Sequence, residues 1–218
     1  VFDDADIDEA IDGVIISKFR NSGQTCVCAN RILIHEKIYD QFSQKLVKVI
    51  SKLKVGNGMD KDVNIGPMIN INAIKKIKGF LEDSISKGGK ILIGGKIIGK
   101  YFFEPTVISN ASLEMNFSKE EIFGPIVPLY KFSSDKQAVN MANDTNYGLA
   151  SYFYSQNVSR CWRVAEELEY GMVGINEGLI STEVAPFGGI KFSGIGREGS
   201  KYGIEDYLDV KYMCFGNI

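Results

Sequence analysis

The sequence predicts an α/β domain, a mostly parallel sheet flanked by helices. Three observations carry that prediction. Helical stripes of apolar residues alternate with short β-branched runs along the chain. Glycines stand where those stripes end, as helix stops do. A chain of 218 residues with 44% hydrophobic content can bury a sizeable core, and no repeat or low-complexity linker divides it.

Taken in order, Asp6 is placed to cap a helix whose apolar positions Ile7, Ala10, Ile11, Val14, Ile15 and Phe19 keep the helical repeat. Arg31 to Ile34 reads as a buried strand. Ile38, Phe42, Leu46, Val49, Ile50 and Leu53 mark one face of a second helix ending near Gly56. Ile74, Ile77, Leu81 and Ile85 give a third stripe, terminated by Gly88-Gly89, and a strand follows at 90–93. Further strands are expected around 105–108, 126–132, 150–154 and 172–176. Helices are expected around 135–143 and 158–168, with Gly171 as a left-handed stop after the second. Tyr207 to Gly216 alternate large apolar and polar residues, as a half-exposed strand would. Such a strand is either an edge of its own sheet or an extension of a partner's.

Charge excludes some functions. Lys and Arg total 25 against 27 acidic residues, a net charge of -2 with no basic block, so neither nucleic acid nor an anionic membrane is an expected partner. No apolar run approaches the length of a membrane-spanning helix. The chain opens on Val1-Phe2-Asp3-Asp4, inside a hydrophobic run and without Met, which reads as a domain cut from a longer chain. Four cysteines, at 26, 28, 161 and 214, are too few for a disulfide framework in a chain of this size. A reducing compartment is expected, the cytoplasm by default, with the mitochondrial matrix left open. No metal site is expected, because Cys26 and Cys28 lack further ligands and the single histidine, His35, falls in a strand.

Chemistry concentrates in three segments. The first, Phe19-Arg20-Asn21-Ser22-Gly23-Gln24-Thr25-Cys26-Val27-Cys28, puts a cysteine just after a Gly-Gln-Thr turn at a helix end. A thiol in such a bend is exposed, and nearby backbone N–H groups stabilise charge on its sulfur or on an attacked carbonyl. That setting suits a covalent nucleophile. The second segment, Lys119-Glu120-Glu121-Ile122-Phe123-Gly124-Pro125, is acidic and bends at Gly-Pro before a strand. The third, Ala185-Pro186-Phe187-Gly188-Gly189-Ile190-Lys191 running on to Glu198, is a glycine-dense loop without the spacing or lysine of a phosphate-binding loop. On residue types alone, the second is a solvated loop and the third a chain reversal.

Together with Asn143-Asp144-Thr145-Asn146-Tyr147-Gly148-Leu149, these segments resemble the aldehyde dehydrogenase superfamily along the whole chain. The resemblance implies that Cys26 attacks an aldehyde to give a thiohemiacetal. Hydride transfer to NAD or NADP then leaves a thioester, and water activated by a general base releases the acid. It implies that Glu121 bonds the nicotinamide-side ribose hydroxyls, that Phe123 packs near the same nucleotide, and that Phe187 walls the substrate tunnel. It also implies that the general base, the oxyanion asparagine and the nucleotide-binding domain lie upstream of Val1. Residues 1–204 are then the cysteine-bearing catalytic domain and 205–218 an oligomerisation tail making a dimer or tetramer.

Within the superfamily the chain is most similar to succinate-semialdehyde dehydrogenases, through Arg20, the Cys26-Val27-Cys28 pair, Ser181 and the run Gly199 to Leu208. Arg20 and Ser181 are then expected to hold the far carboxylate of succinate semialdehyde. Read by themselves, Arg20 is a helix-terminal cation and Ser181 a local cap. Cys28 is expected either to form an oxidised pair with Cys26 or to pack beneath the turn. Two alternatives stay open: glutarate semialdehyde or another aldehyde as substrate, and a non-catalytic short product that pairs with full-length subunits.

Overall fold

Asp6 opens the first helix as its position predicts. In the computed structural model, which describes residues 1–217, its side chain accepts from the Asp8 and Glu9 amides and starts α1, Ile7–Phe19. Strand β1, Ile32–His35, and helix α2, Tyr39–Ile50, follow, with Phe42, Leu46 and Ile50 fully buried. Asn70 accepts from the Ala73 amide and begins α3, Ile71–Ser86. The chain leaves that helix through Gly88 at φ +90°, a conformation open to glycine. The remaining elements are β2 (Lys90–Ile93), β3 (Ile97–Ile98), β4 (Phe102–Phe103), β5 (Thr106–Ser109), β6 (Ile126–Phe132), α4 (Asp135–Asn143), β7 (Tyr147–Gly148), β8 (Ala150–Phe153), α5 (Val158–Glu167), β9 (Met172–Ile175) and β10 (Ile190–Lys191).

The main sheet runs β1-β6-β5-β2. Strands β1 and β5 each lie parallel to β6, while β2 pairs antiparallel with β5 at the edge. The central strand β6 is buried at every position but Lys131, as a strand covered on both faces must be. Strands β8 and β9 form a separate parallel pair. Val1 and Phe2 link the two: the His35 amide donates to the Val1 carbonyl and the Phe2 amide to the Tyr154 carbonyl, both at 3.0 Å. Arg160 on α5 anchors this junction through ion pairs to Asp3, Asp4 and Asp135.

One expectation is corrected, and one of two alternatives falls away. Gly171 is not a left-handed stop. The helix ends at Glu167 with Leu168 extended, and Gly171 is absent from the glycines of positive φ. Its missing side chain serves a close approach instead, since a Cβ there would overlap the Gly188 carbonyl. The C-terminal stretch is not an edge of the molecule's own sheet. After a short 3-10 turn at Glu205–Tyr207 it pairs with no strand, and Tyr207, Val210, Tyr212 and Phe215 stand exposed; residue 218 lies outside the described residues. An alternating stretch becomes a strand only where a second edge accepts its hydrogen bonds. Among the described residues, no helix is long and apolar enough to cross a membrane.

Lys18 is the exception in the core. It falls on the buried face of α1, only 1% exposed, and makes no hydrogen bond or ion pair among the described residues. Burial pushes its ammonium down to about 8, an effect that the neighbouring charges of Cys28 and Glu121 partly offset. The unfolded chain holds this proton up to the ordinary lysine value of 10.5. Between about 8 and 10.5 the unfolded state therefore binds more protons, and Lys18 makes stability rise with pH. Lys18→Met is expected to stabilise the chain at pH 7 by about 3 kcal/mol, and the gain should shrink towards pH 10. Urea unfolding of both proteins at several pH values measures this; a constant difference would contradict it.

Candidate active site

The chain leaves α1 through an uncommon turn. Arg20 is extended, and Asn21, Ser22 and Gly23 follow in the left-handed region at φ 49°, 59° and 79°. For the two residues with a Cβ this costs roughly 1–2 kcal/mol each. Side chains from the turn hold it in place. Ser22 Oγ donates to the Gly66 carbonyl at 3.0 Å and Asn21 Nδ2 to the Gln24 carbonyl at 3.1 Å. Gln24 reaches the 67–69 segment, its Nε2 donating to Pro67 at 3.2 Å and its Oε1 accepting from the Ile69 amide at 2.9 Å.

Gly23 lies backbone to backbone with Gly124, so close that a Cβ would overlap the Gly124 carbonyl. This contact joins the cysteine segment to the acidic segment. A tight turn follows, closed by the Cys28 amide donating to the Thr25 carbonyl at 3.1 Å. Cys26 stands exposed at its corner. Its own N–H donates to no group among the described residues and is free to meet an oxyanion. Cys28 is half-buried; its sulfur meets Thr25 Oγ1 at 2.7 Å and the Arg20 carbonyl at 3.8 Å.

Asn30 clamps the acidic segment. Its Nδ2 donates to the Phe117 and Glu120 carbonyls at 2.8 and 3.3 Å, and its Oδ1 accepts from the Ile122 amide at 2.7 Å. Ile122 is thereby driven into the core, fully buried, while Glu121 and Phe123 on either side turn outwards. Phe123 sits at φ 50°. Cys26, Cys28, Asn30, Glu121 and Tyr152 line one cavity of about 710 Å³, which continues along β1 and β8.

Arg20 and Ser181 come together elsewhere, on a shallower depression of about 520 Å³ shared with Ile16, Phe19, Asn64 and Leu179. Gly178 makes this possible, because its backbone rests on that of Gly13 in α1 and a Cβ would lie 2.5 Å from the Gly13 carbonyl. The residues expected to read a carboxylate thus share a wall, and Cys26 opens onto a different one. Phe123 and Phe187 line neither depression. Phe187 is half-buried, its amide and carbonyl bonded to those of Glu198 at 2.8 and 2.7 Å. That loop is tied back through β10, which pairs with β7, and through Lys191 Nζ donating to the Asn143 and Thr145 carbonyls. Among the described residues, no three His, Cys, Asp or Glu side chains gather as metal ligands do.

The motifs themselves do not reveal Lys18, Asn30 or Tyr152. Lys18 had a signal, since it stands four residues after Val14 and seven after Ile11 on the core face of α1. Asn30 and Tyr152 had none; they act on backbone carbonyls distant in sequence.

The fold is an α/β domain that presents an exposed cysteine on a turn. The chain belongs to the aldehyde dehydrogenase family, whose model matches residues 1–213. It is 58% identical over 214 residues to a glutarate-semialdehyde dehydrogenase of Pseudomonas putida, covering 98% of this chain and 45% of that protein. It is 54% identical over 218 residues to the NADP(+) succinate-semialdehyde dehydrogenase of Escherichia coli K12, covering 99% and 45% respectively. The crystal structure of a succinate-semialdehyde dehydrogenase from Burkholderia pseudomallei superposes with a TM-score of 0.97 at 55% identity, over 99% of this chain and 45% of that one. The chain therefore spans about 45% of the length of these relatives.

Gly23→Ala tests the junction of the two segments. It adds a Cβ at positive φ directly against the Gly124 carbonyl, and is expected to cost more than about 2 kcal/mol. Gly58→Ala meets nothing within 4 Å and serves as the control, expected within about 1 kcal/mol of the parent. Chemical denaturation reads both; equal effects would show that the contact is dispensable.

Proposed function

We propose that the protein of which this chain forms part oxidises succinate semialdehyde to succinate with NAD or NADP. The observation that carries this reading is that Arg20, six residues before Cys26, and Ser181 line one depression. A guanidinium and a hydroxyl side by side suit a carboxylate, and an arginine matches its two oxygens with two parallel N–H groups. The named activities of the relatives, which act on succinate or glutarate semialdehyde, support a carboxylate-bearing aldehyde.

Cys26 is the proposed nucleophile. Its thiolate attacks the carbonyl carbon, a C–S bond forms, and the carbonyl oxygen takes the electron pair next to the free Cys26 N–H. Departure of hydride from that carbon gives a thioester on the same sulfur. Water then adds, the C–S bond breaks, and acid and thiolate are released. Bound NAD or NADP supplies the hydride acceptor. The residues present fit its nicotinamide-side ribose. Glu121 offers an exposed carboxylate on the cavity that holds Cys26, and such a group accepts from both ribose hydroxyls. Phe123, 39% exposed beside it, offers an apolar surface to the nucleotide; for Phe187, which lines neither depression, a place on the wall of the substrate passage rests on the family resemblance alone. Residues 1–204 are the catalytic unit in this reading. The tail 205–218 pairs with another subunit, in keeping with its exposed Val210, Tyr212 and Phe215.

Glutarate semialdehyde is the second reading, favoured by the name of the P. putida relative. Comparing kcat/KM of the complete enzyme on both semialdehydes and on butanal separates the cases. Arg20→Ala is expected to lower kcat/KM on the preferred semialdehyde by about 30-fold or more, the loss of a charged contact, and to spare butanal. An equal loss on all three would make Arg20 a support for the loop and no reader of the substrate.

Cys28 is proposed as the oxidation partner of Cys26. In the reduced chain its sulfur is engaged by Thr25 Oγ1, so closing the bridge requires that contact to break. Two cysteines one residue apart close a small ring, and the bridge should be easily reduced. After mild peroxide, mass spectrometry should find the tryptic peptide carrying both residues lighter by two hydrogens and restored by dithiothreitol. Sulfenic or sulfinic acid on Cys26 alone would leave Cys28 a packing residue.

A further inference from the structure

Tyr152 reaches the cysteine loop from the other sheet. It lies on β8, 125 residues beyond Val27 in sequence, and its hydroxyl donates to the Val27 carbonyl at 2.8 Å. Val27 is buried, and its peptide unit separates the two cysteines. Burial raises the Tyr152 hydroxyl above the ordinary phenol range, and the charges of Cys28 and Cys26 add to that. The group is therefore a fixed donor at physiological pH and no proton acceptor.

The turn that carries Cys26 is closed by one backbone bond, Cys28 to Thr25. A single bond of that kind contributes only about 1 kcal/mol, and it holds the planar Val27–Cys28 peptide unit by its N–H end alone. With no partner on its carbonyl end, that unit would be able to tilt about the one bond and loosen the Cys28 contact with Thr25 Oγ1. Tyr152 supplies the second restraint, from a strand that itself pairs with β9 and does not belong to the loop. Ser151 beside it has a buried hydroxyl without a hydrogen-bond partner, so the neighbouring hydroxyl on the same strand does not share the task.

We propose that Tyr152 is a positioning residue for Cys26, acting through the Val27 carbonyl to hold the two cysteines in their separate orientations. The proposal rests on the reading of Cys26 as nucleophile. It assigns Tyr152 no contact with substrate.

The test is cysteine labelling of the 218-residue chain with iodoacetamide at neutral pH, followed residue by residue by mass spectrometry. In the parent chain Cys26 should react well ahead of Cys28 and of Cys161, which is half-buried on α5. Tyr152→Phe removes only the hydroxyl. It is expected to slow Cys26 by about tenfold, the worth of one hydrogen bond of about 1.4 kcal/mol, and to bring the Cys26-to-Cys28 ratio towards one, with Cys161 unchanged. Tyr154→Phe, one residue beyond that strand and bonded to no loop carbonyl, should leave the ratio alone. If Tyr152→Phe exposes Cys161 and so has unfolded, the ratio is read instead in Tyr152→4-aminophenylalanine, which keeps a donor, against Tyr152→4-methylphenylalanine, which fills the same space without one. Only the first should match the parent. An unchanged ratio in the folded variant overturns the proposal and leaves Cys26 as nucleophile. Cys26 reacting no faster than Cys161 in the parent overturns the nucleophile reading itself.

Discussion

Gly23 resting against Gly124 is the contact on which the rest of the site depends. It brings a segment that follows α1 to a segment that precedes β6, about a hundred residues later, at a distance no side chain could occupy. Once those backbones touch, the turn that lifts Cys26 and the bend that turns Glu121 outwards share one frame. Asn30 then reinforces the frame with two hydrogen bonds to the acidic segment and a third to Phe117 just before it. The geometry is maintained against local preference. Asn21 and Ser22 in the first segment, Phe123 in the second and Lys191 in the third all hold a left-handed backbone despite carrying a Cβ. Such residues persist only where surrounding bonds over-determine them, and they collect at functional sites.

A second constraint comes from the two sheets. Strand β1 pairs with β6 on one side, and β8 pairs with β9 on one side. Val1 and Phe2 join the facing edges, and the cavity lined by Cys26, Cys28 and Glu121 continues between them. Tyr152 crosses this space to the loop, and Lys18 sits buried on the helix that borders it. The cysteine loop is therefore braced from three directions: by the 66–69 segment through Ser22 and Gln24, by the acidic segment through Gly124 and Asn30, and by β8 through Tyr152.

Much of this was legible because it is local. The bounds of α1 follow from the Asp6 cap and the apolar stripe, β6 forms at the apolar run 126–132, and α4, capped by Ser134, covers the expected 135–143. The three functional segments stood out by their glycines and their family resemblance. What remained hidden was tertiary. The cause of Gly171 is the approach of Gly188 from a later loop, which no stop signal announces. The terminal alternation reads as a strand, yet a strand is completed by its neighbour, and none is offered within this chain. Asn30 and Tyr152 bond carbonyls 87 to 125 residues away, and a carbonyl leaves no mark in a sequence. Lys18 alone was readable beforehand, as a cation in an apolar register.

The chemical account divides the substrate between two walls, with its carbonyl at Cys26 and its carboxylate at Arg20 and Ser181. A crystal structure of the complete enzyme soaked with succinate tests that division most directly. The account requires one carboxylate bound between the Arg20 guanidinium and Ser181 Oγ, with the other end of the molecule directed at Cys26 Sγ. Succinate lying against Cys26 with Arg20 and Ser181 both turned to solvent would contradict it.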